Sequence, residues 1–318
     1  MSLRVGVHVS ISGGVGKAPE RAYLMGCTAF QIFTRNPRGW KYTDLKSDDI
    51  ELFRSGVERY GFKGCVASHM PYLPNLASPD DRIYNLSLDS LIKELERAGL
   101  LGIPYLVIHL GSHMGAGEDV GRKRLIDAVD IALSKVENDV IILLENMAGQ
   151  KHSIGSRFED IQYLIEHISF NDRIGVCFDT AHAFQAGYDL RDESSVEETL
   201  EEFDNIIGFK MLKLIHLNDS KTELGSGRDI HEHIGLGFIG EEGFKAFLRH
   251  PEVLKRPLIL ETPVDERRED IGNLMKVWEL SGLKPPDDIK KRWDEFLKME
   301  KKVYAKAKPK TRKVRKKK

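Results

Sequence analysis

The sequence predicts a (β/α)8 barrel of the TIM type, and three observations carry the prediction. Strand-like apolar runs alternate with helical patterns eight times over about 280 residues, which implies a parallel sheet that a barrel of this length closes economically. Six of the runs end in a residue able to bind a metal: CVASH at His69, YLVIH at His109, VIILLE at Glu145, CFD at Asp179, LKLIH at His216 and LILE at Glu261. The loops that follow, such as HLGSHMGAGE (109–118) and ENMAGQKHSIG (145–155), are rich in glycine and polar residues, as loops that build sites above a rigid scaffold are. A doubly wound open sheet also alternates, but it would not gather six strand ends around one point. In a barrel those ends share the C-terminal face, where active sites lie.

Taken in order, the strand candidates are Val5–Val9, Ala29–Phe33, Gly64–Ser68, Tyr105–Ile108, Val140–Leu144, Ile174–Phe178, Leu212–Ile215 and Leu258–Leu260. Each is a short apolar run bounded by turn residues, the pattern of a buried strand. Helical spacing of apolar residues marks Lys17–Met25, Ser47–Tyr60, Tyr84–Leu100, Asp119–Val136, Phe158–His167, Val196–Ile207, Glu241–Leu248 and Asp270–Leu280. The barrel is expected over 1–283. From Lys284 the character changes: KPP reads as a linker, and Asp287–Val303 as a short helix with Ile289, Trp293 and Phe296 on one face. The closing AKAKPKTRKVRKKK lacks the apolar content to fold alone, so 284–318 is expected to be a helix followed by a disordered basic tail.

Composition narrows the class. Hydrophobic residues make up 41% and charged residues 31%, ordinary for a soluble globular chain. No apolar run approaches the ~20 residues of a membrane span. MSLRVGVHVS enters a strand directly, without the long apolar core of a signal peptide, so a cytoplasmic protein is expected. Cys27, Cys65 and Cys177 are scattered with no CxxC, which argues against a disulfide framework and against a thiolate zinc site. The near-zero net charge hides an asymmetry: residues 301–318 hold eleven Lys or Arg and no acid, so the rest of the chain is acidic. A basic tail on an acidic body suits a polyanionic partner.

The candidate ligands suit a divalent transition metal. In IGVCFDTAHAFQAGYDL (174–190), Asp179 ends an apolar run and His182 follows three residues later. A helix N-cap aspartate and a surface histidine would give the same local pattern. Six such ends in step are harder to explain by packing, because unpaired buried polar groups are costly. In IHLNDSKTELGSGRDIHEHIGLGFIG (215–240), Asp229 and His231 flank Ile230. Residues two apart in an extended segment face one side, so both can reach one metal together with His182. The other ligands can share two further metals, with a carboxylate as the bridge.

At these motifs the sequence resembles the endonuclease IV family of apurinic/apyrimidinic endonucleases. GVCFDTAHAFQAGYDL, HLNDSKTELGSGRDIHEHIGLGFIG, IHLGSH and LILET carry the resemblance, which runs from about Val5 to Leu280. It implies a zinc-dependent DNA repair hydrolase that cuts the phosphodiester 5′ of abasic sites in duplex DNA. It implies three Zn2+ per chain, with Mn2+ sharing the same ligand types. One zinc would be held by His69, His109 and Glu145. A second would be held by Glu145, Asp179, His216 and Glu261, and the third by His182, Asp229 and His231. Glu145 would be the bridge, and Glu261 the carboxylate that orients or deprotonates the attacking water. The expected products are a 3′-hydroxyl and a 5′-deoxyribose phosphate.

Two loops fit the DNA partner. TRNPRGW (34–40) carries Arg35, Arg38 and Trp40, and the resemblance places Arg38 in the minor groove. Tyr72 and Leu73 follow His69 directly, and an exposed aromatic–aliphatic pair can wedge into a base stack. Ile230, Ala181 and Leu110 depart from the family pattern, and none of them is a ligand. His8, at the mouth end of the first strand, is not counted as a ligand, and His113, His152, His167, His233 and His250 are expected in solvent. A monomer without membrane contact is expected. Competing readings are a divalent-metal sugar isomerase or epimerase on the same barrel, and a non-catalytic DNA-binding barrel. Nine ligands exceed what isomerisation needs, and the complete carboxylate set favours catalysis.

Overall fold

A computed structural model describes residues 3–307 of the chain, with side chains to residue 298. Eight parallel strands form one sheet: β1 (Val5–Val7), β2 (Phe30–Ile32), β3 (Val66–His69), β4 (Tyr105–His109), β5 (Ile141–Glu145), β6 (Ile174–Asp179), β7 (Leu212–His216) and β10 (Leu258–Leu260). The order around the sheet follows the sequence, with β1 beside β10. The seam between β1 and β2 is joined by a parallel bridge from His8 to Gln31 and by Thr28 N donating to Val5 O at 2.8 Å. Two-residue strands β8 (Asp219–Ser220) and β9 (His231–Glu232) pair antiparallel in the loop after β7.

The helices are α1 (Ala18–Leu24), α2 (Ser47–Arg59), α3 (Asp81–Leu101), α4 (Glu118–Lys135), α5 (Phe158–His167), α6 (Thr180–Ala186), α7 (Glu193–Ile206), α8 (Gly240–Phe247), α9 (Pro251–Leu254), α10 (Glu269–Ser281) and α11 (Ile289–Ala307). Two of them start earlier than their apolar spacing alone suggests, because an aspartate caps them. Asp80 accepts from Ile83 N at 3.0 Å and begins α3; Asp192 accepts from Ser195 N at 3.0 Å and begins α7. Within α11, Trp293 Nε1 donates to Met25 O at 2.7 Å and Ile289 is buried, so the helix after the linker packs on α1. The basic tail beyond residue 307 lies outside the described residues. No described helix is long and apolar enough to cross a membrane.

Two apolar cores result from the alternation of side chains across the sheet. The larger lies between strands and helices, around residues such as Phe30, Ile108, Leu144 and Phe178. The smaller fills the barrel interior with Ala29, Cys65, Ala67, Val107, Leu143, Cys177, Leu214 and Ile259. Cys65 and Cys177 are therefore core residues, and burial pushes the Cys177 thiol up to about 12. Two residues further along each strand, on the same inward face, come Gln31, His69, His109, Glu145, Asp179, His216 and Glu261, with His8 completing the ring two residues past Gly6.

Gly6 makes closure at the seam possible, since a Cβ there would stand 1.6 Å from Ala29 O. Gly6→Ala should therefore cost at least ~2 kcal/mol, at the upper end of overpacking changes. A denaturant midpoint equal to that of the wild type would show that closure does not depend on this contact.

Candidate metal centre

Five of the strands run one residue further than their apolar pattern indicates, so His69, His109, Glu145, Asp179 and His216 are the last residues of β3 to β7. Glu261 directly follows β10. These residues are not set outside the core. Glu145, Asp179 and His216 are wholly buried, and His69 nearly so. They form a polar layer on top of the interior apolar one, and burial is tolerable because each finds partners within the layer.

Glu145 is the hub. Its Oε1 lies 2.7 Å from His216 Nδ1 and 3.6 Å from His182 Nδ1, and its Oε2 lies 3.1 Å from His69 Nε2 and 3.3 Å from His109 Nε2. Three sets bring all their donor atoms within 4.8 Å of one another: His69, Glu145 and His216; Glu145, Asp179, His216 and Glu261; and Asp179, His182 and His231. The middle set coincides with the second expected ligand set. The other two differ in one member each. His109 stands beside Glu145 as given above, and Asp229 Oδ1 lies 3.1 Å from His182 Nε2 and 3.5 Å from His231 Nε2. Asp229 and His231 thus do turn to one side of their extended segment.

The surroundings orient these rings as a metal site requires. The Nδ1–H groups of His69, His182 and His231 donate to the carbonyls of Met70 (2.6 Å), Asn146 (2.9 Å) and Glu261 (3.2 Å). That leaves each Nε2 directed at the cluster. Nε2 of His231 is buried without a hydrogen-bond partner, a costly state unless a cation accepts the lone pair, and Nε2 of His182 faces the Asp229 carboxylate at 3.1 Å. Two asparagines tie the strand ends together. Asn146 accepts from Asp179 N at 2.7 Å, while Asn218 donates to Asp179 Oδ2 at 2.7 Å and accepts from Glu261 N at 2.7 Å. Asp179 is both a helix cap and a cluster member: Oδ1 accepts from His182 N at 2.8 Å at the start of α6, and Oδ2 faces His216 and His231.

A family model described as a xylose isomerase-like TIM barrel matches residues 19–281. A probable endonuclease 4 of Methanoculleus marisnigri is 53% identical over 279 residues, covering 87% of this chain and 99% of that protein. A probable endonuclease 4 of Nitrosopumilus maritimus is 47% identical, covering 88% and 100%. The crystal structure of endonuclease IV from Thermus thermophilus aligns with a TM-score of 0.77 at 36% identity, over 87% of this chain and 98% of that one. The chain belongs to the endonuclease IV family. A D-tagatose 3-epimerase-like protein shares the fold alone, with a TM-score of 0.62 at 20% identity over 95% and 100% of the two chains.

Within this endonuclease IV family barrel, Gln31 is a site residue that ligand-type reasoning passes over. Its Nε2–H donates to Glu261 Oε1 at 2.7 Å, and its Oε1 accepts from His216 Nε2 at 3.0 Å. It fixes the His216 tautomer that leaves Nδ1 for the cluster, and it holds Glu261 with Oε2 facing inward, 3.4 Å from His216 Nδ1. The signal was its parity, two residues past Ala29 on the inward face. His8 joins the same network, 3.4 Å from Glu261 Oε1.

The candidate DNA loops divide. Arg38 is exposed, Tyr72 is 61% exposed and Leu73 is 40% exposed. Arg35 is not at the surface. It is buried, with Nε donating to Glu94 Oε1 at 3.2 Å and Nη1 to the carbonyls of Asn36 and Gly39. Glu94 also accepts from Thr34 Oγ1 (2.6 Å) and Tyr42 OH (2.9 Å), so Arg35 braces the loop that carries Arg38. His233 is likewise not solvated. It is buried, 3.0 Å from Asp265 Oδ1 and 2.8 Å from Asn273 Nδ2.

Protonation competes with metal at this centre. Burial disfavours a charged His182, but Asp179 and then Asp229 outweigh it and raise the imidazole to about 10. Burial acts the other way on Asp229, yet His182 draws its carboxyl down to about 2. A cation bound at His182 would have to displace the imidazole proton, so the apparent affinity should fall as pH falls. Calorimetric titration of zinc into metal-stripped protein at pH 8 should give heats that change with the ionisation enthalpy of the buffer. Equal heats in all buffers would show that His182 binds no metal or carries no proton.

Proposed function

We propose that this protein is a DNA repair endonuclease that hydrolyses the backbone 5′ of abasic sites in duplex DNA. The observation that carries the reading is the organisation of the donors into three adjoining sets, two of which share the Glu145 carboxylate, in a chain of the endonuclease IV family. Three divalent cations, zinc with manganese as the nearest substitute, would supply Lewis-acid stabilisation of the phosphate and an activated water. His69, His109 and Glu145 are the proposed ligands of the first. Glu145, Asp179, His216 and Glu261 are those of the second, and His182, Asp229 and His231 those of the third.

The residues then have distinct tasks. Glu145 has both oxygens engaged by histidines on different strands, which suits a bridge and leaves it no role as a base. Glu261 has Oε1 held by Gln31 and His8 and turns Oε2 inward. That oxygen is the proposed proton acceptor for the attacking water. Gln31 positions Glu261, and Asn218 fixes its backbone. Negative charge grows on the phosphate as the bond from phosphorus to the 3′ oxygen breaks, so the positive charge that these residues would hold would favour the transition state over bound DNA. The cut leaves a 3′-hydroxyl and a 5′-deoxyribose phosphate.

Recognition of the lesion falls to the rim. Tyr72 and Leu73 adjoin His69, and Tyr72 rests edge-on against Phe33 at 6.0 Å between ring centroids. Met114, Ile230, Leu236, Phe238 and Val264 are also exposed apolar side chains on loops leaving the C-terminal ends of strands. A rim of this kind suits a bent duplex whose stack has been opened. An abasic nucleotide has no base to unstack, so flipping it toward the cluster costs a few kcal/mol less than flipping an intact one. A sugar isomerase would have no use for a wedge beside the centre or for the Asp229 and His231 arm.

The direct test is cleavage of a duplex carrying one abasic site, with both product ends identified. Glu261→Gln should lower the saturated rate at least ~100-fold, within the range for general acid–base groups, with little change in DNA affinity. A near-wild-type rate would remove Glu261 from the reaction. The double change Tyr72→Ala, Leu73→Ala should keep the metal content and lower abasic-duplex cleavage much more than hydrolysis of a small phosphodiester. Equal losses on both substrates would mean the pair supports the metal centre and does not act as a wedge.

A further inference from the structure

The opposite end of the barrel holds a second polar cavity, of about 250 Å³, lined by Arg4, Gly64, Tyr105, Leu212, Lys213, Lys255, Arg256 and Pro257. All lie at or just before the starts of β1, β3, β4, β7 and β10, so the cavity is the N-terminal mouth. Lys213 stands three residues before His216, ~10 Å of strand from the metal centre. Four cations and a phenol line this space, and no carboxylate does. Glu252, which is not among the lining residues, pairs with Lys255 and Arg256.

The barrel is shaped to admit the lysine. The ladder between β6 and β7 skips Lys213: Val176 pairs with Leu212 and Cys177 with Leu214. The skipped stem lies beside Gly175, where a Cβ would meet Lys213 Cγ at 2.7 Å and Leu143 Cδ2 at 2.9 Å. Leu143 belongs to the interior core, so the lysine enters the barrel through the space a side chain at 175 would fill. Lys213 Nζ donates to Lys210 O at 2.7 Å and has donors to spare, while Arg256 Nε is buried without a partner. Burial, and then the nearby Arg256 and Lys210, depress the Lys213 ammonium.

We propose that this mouth binds a small phosphate-class oxyanion, held by Arg4, Lys213 and Arg256 with Tyr105 as a further donor. Arginine forks and a lysine point charge are the donors that tetrahedral oxyanions take. The volume falls below the ~300 Å³ from which sites for larger organic ligands start, so a free oxyanion fits better than a whole nucleotide. Such an anion would neutralise the mouth and stabilise the folded barrel by mass action.

The test is thermal unfolding of the metal-loaded protein in rising inorganic phosphate, with ionic strength held constant by chloride. The wild type should show a saturable rise of about 2–4 °C. Lys213→Met and, as a second variant, Arg4→Met should lose at least half of that rise while cleaving abasic duplex within about twofold of wild type. No rise in the wild type, or the same rise in both variants, overturns the proposal; the second result would place phosphate at the metal centre. Deoxyadenosine monophosphate should give no Lys213-dependent rise. If it does, the ligand is a nucleotide phosphate and the restriction to a free oxyanion is wrong.

Discussion

Everything at the C-terminal face depends on one desolvated carboxylate. Glu145 is wholly buried and meets four imidazoles, from β3, β4, α6 and β7. A buried charge of this kind is tolerable only if its partners are held in place. That demand falls on strand register. His109 is directly beside Glu145 in the β4–β5 ladder, and Asp179 is directly beside His216 in the β6–β7 ladder. A slip of one residue in any of these strands would turn the ligand outward among the helices and leave Glu145 with unbalanced neighbours. The asparagines at 146 and 218 bond across the strand ends and hold the register where it matters most.

The architecture was legible because its two periods are clean. Strand-length apolar runs and helical spacing alternate without a break, and six of the expected ligands each end an apolar run abruptly. Residues whose role lies in pairing could not be read in that way. Gln31 is not a ligand type, so a search for ligands passes it, although its inward parity after Ala29 places it in the ring. Arg35 reads as one more base in a basic loop, because its partner Glu94 lies 59 residues away on α3. His233 looks like a loop residue until Asp265 and Asn273 are brought to it by the fold. The helix starts at Asp80 and Asp192 were missed for a simpler reason: a cap is a local hydrogen bond and leaves no mark on the apolar spacing.

The barrel separates two chemistries with a plug of small and branched side chains. Above it, histidines and carboxylates face one another; below it, arginines and lysines do. The upper layer is crowded with groups whose charges offset each other, and its loops carry the exposed apolar rim. The lower layer has cations without a matching set of acids. Barrels of this class place reaction chemistry above and stability below. On the readings proposed above, catalysis falls to the ring around Glu145 and an anion-dependent contribution to stability to the mouth around Lys213.

The central claim is that the donors around Glu145 form three cation sites and not one. Elemental analysis of the purified protein, referenced to its concentration by amino-acid analysis, tests this most directly. The account predicts three divalent metal ions per chain, with zinc dominant. One ion per chain, or none after purification without chelator, would contradict it and return the barrel to the chemistry of single-metal isomerases.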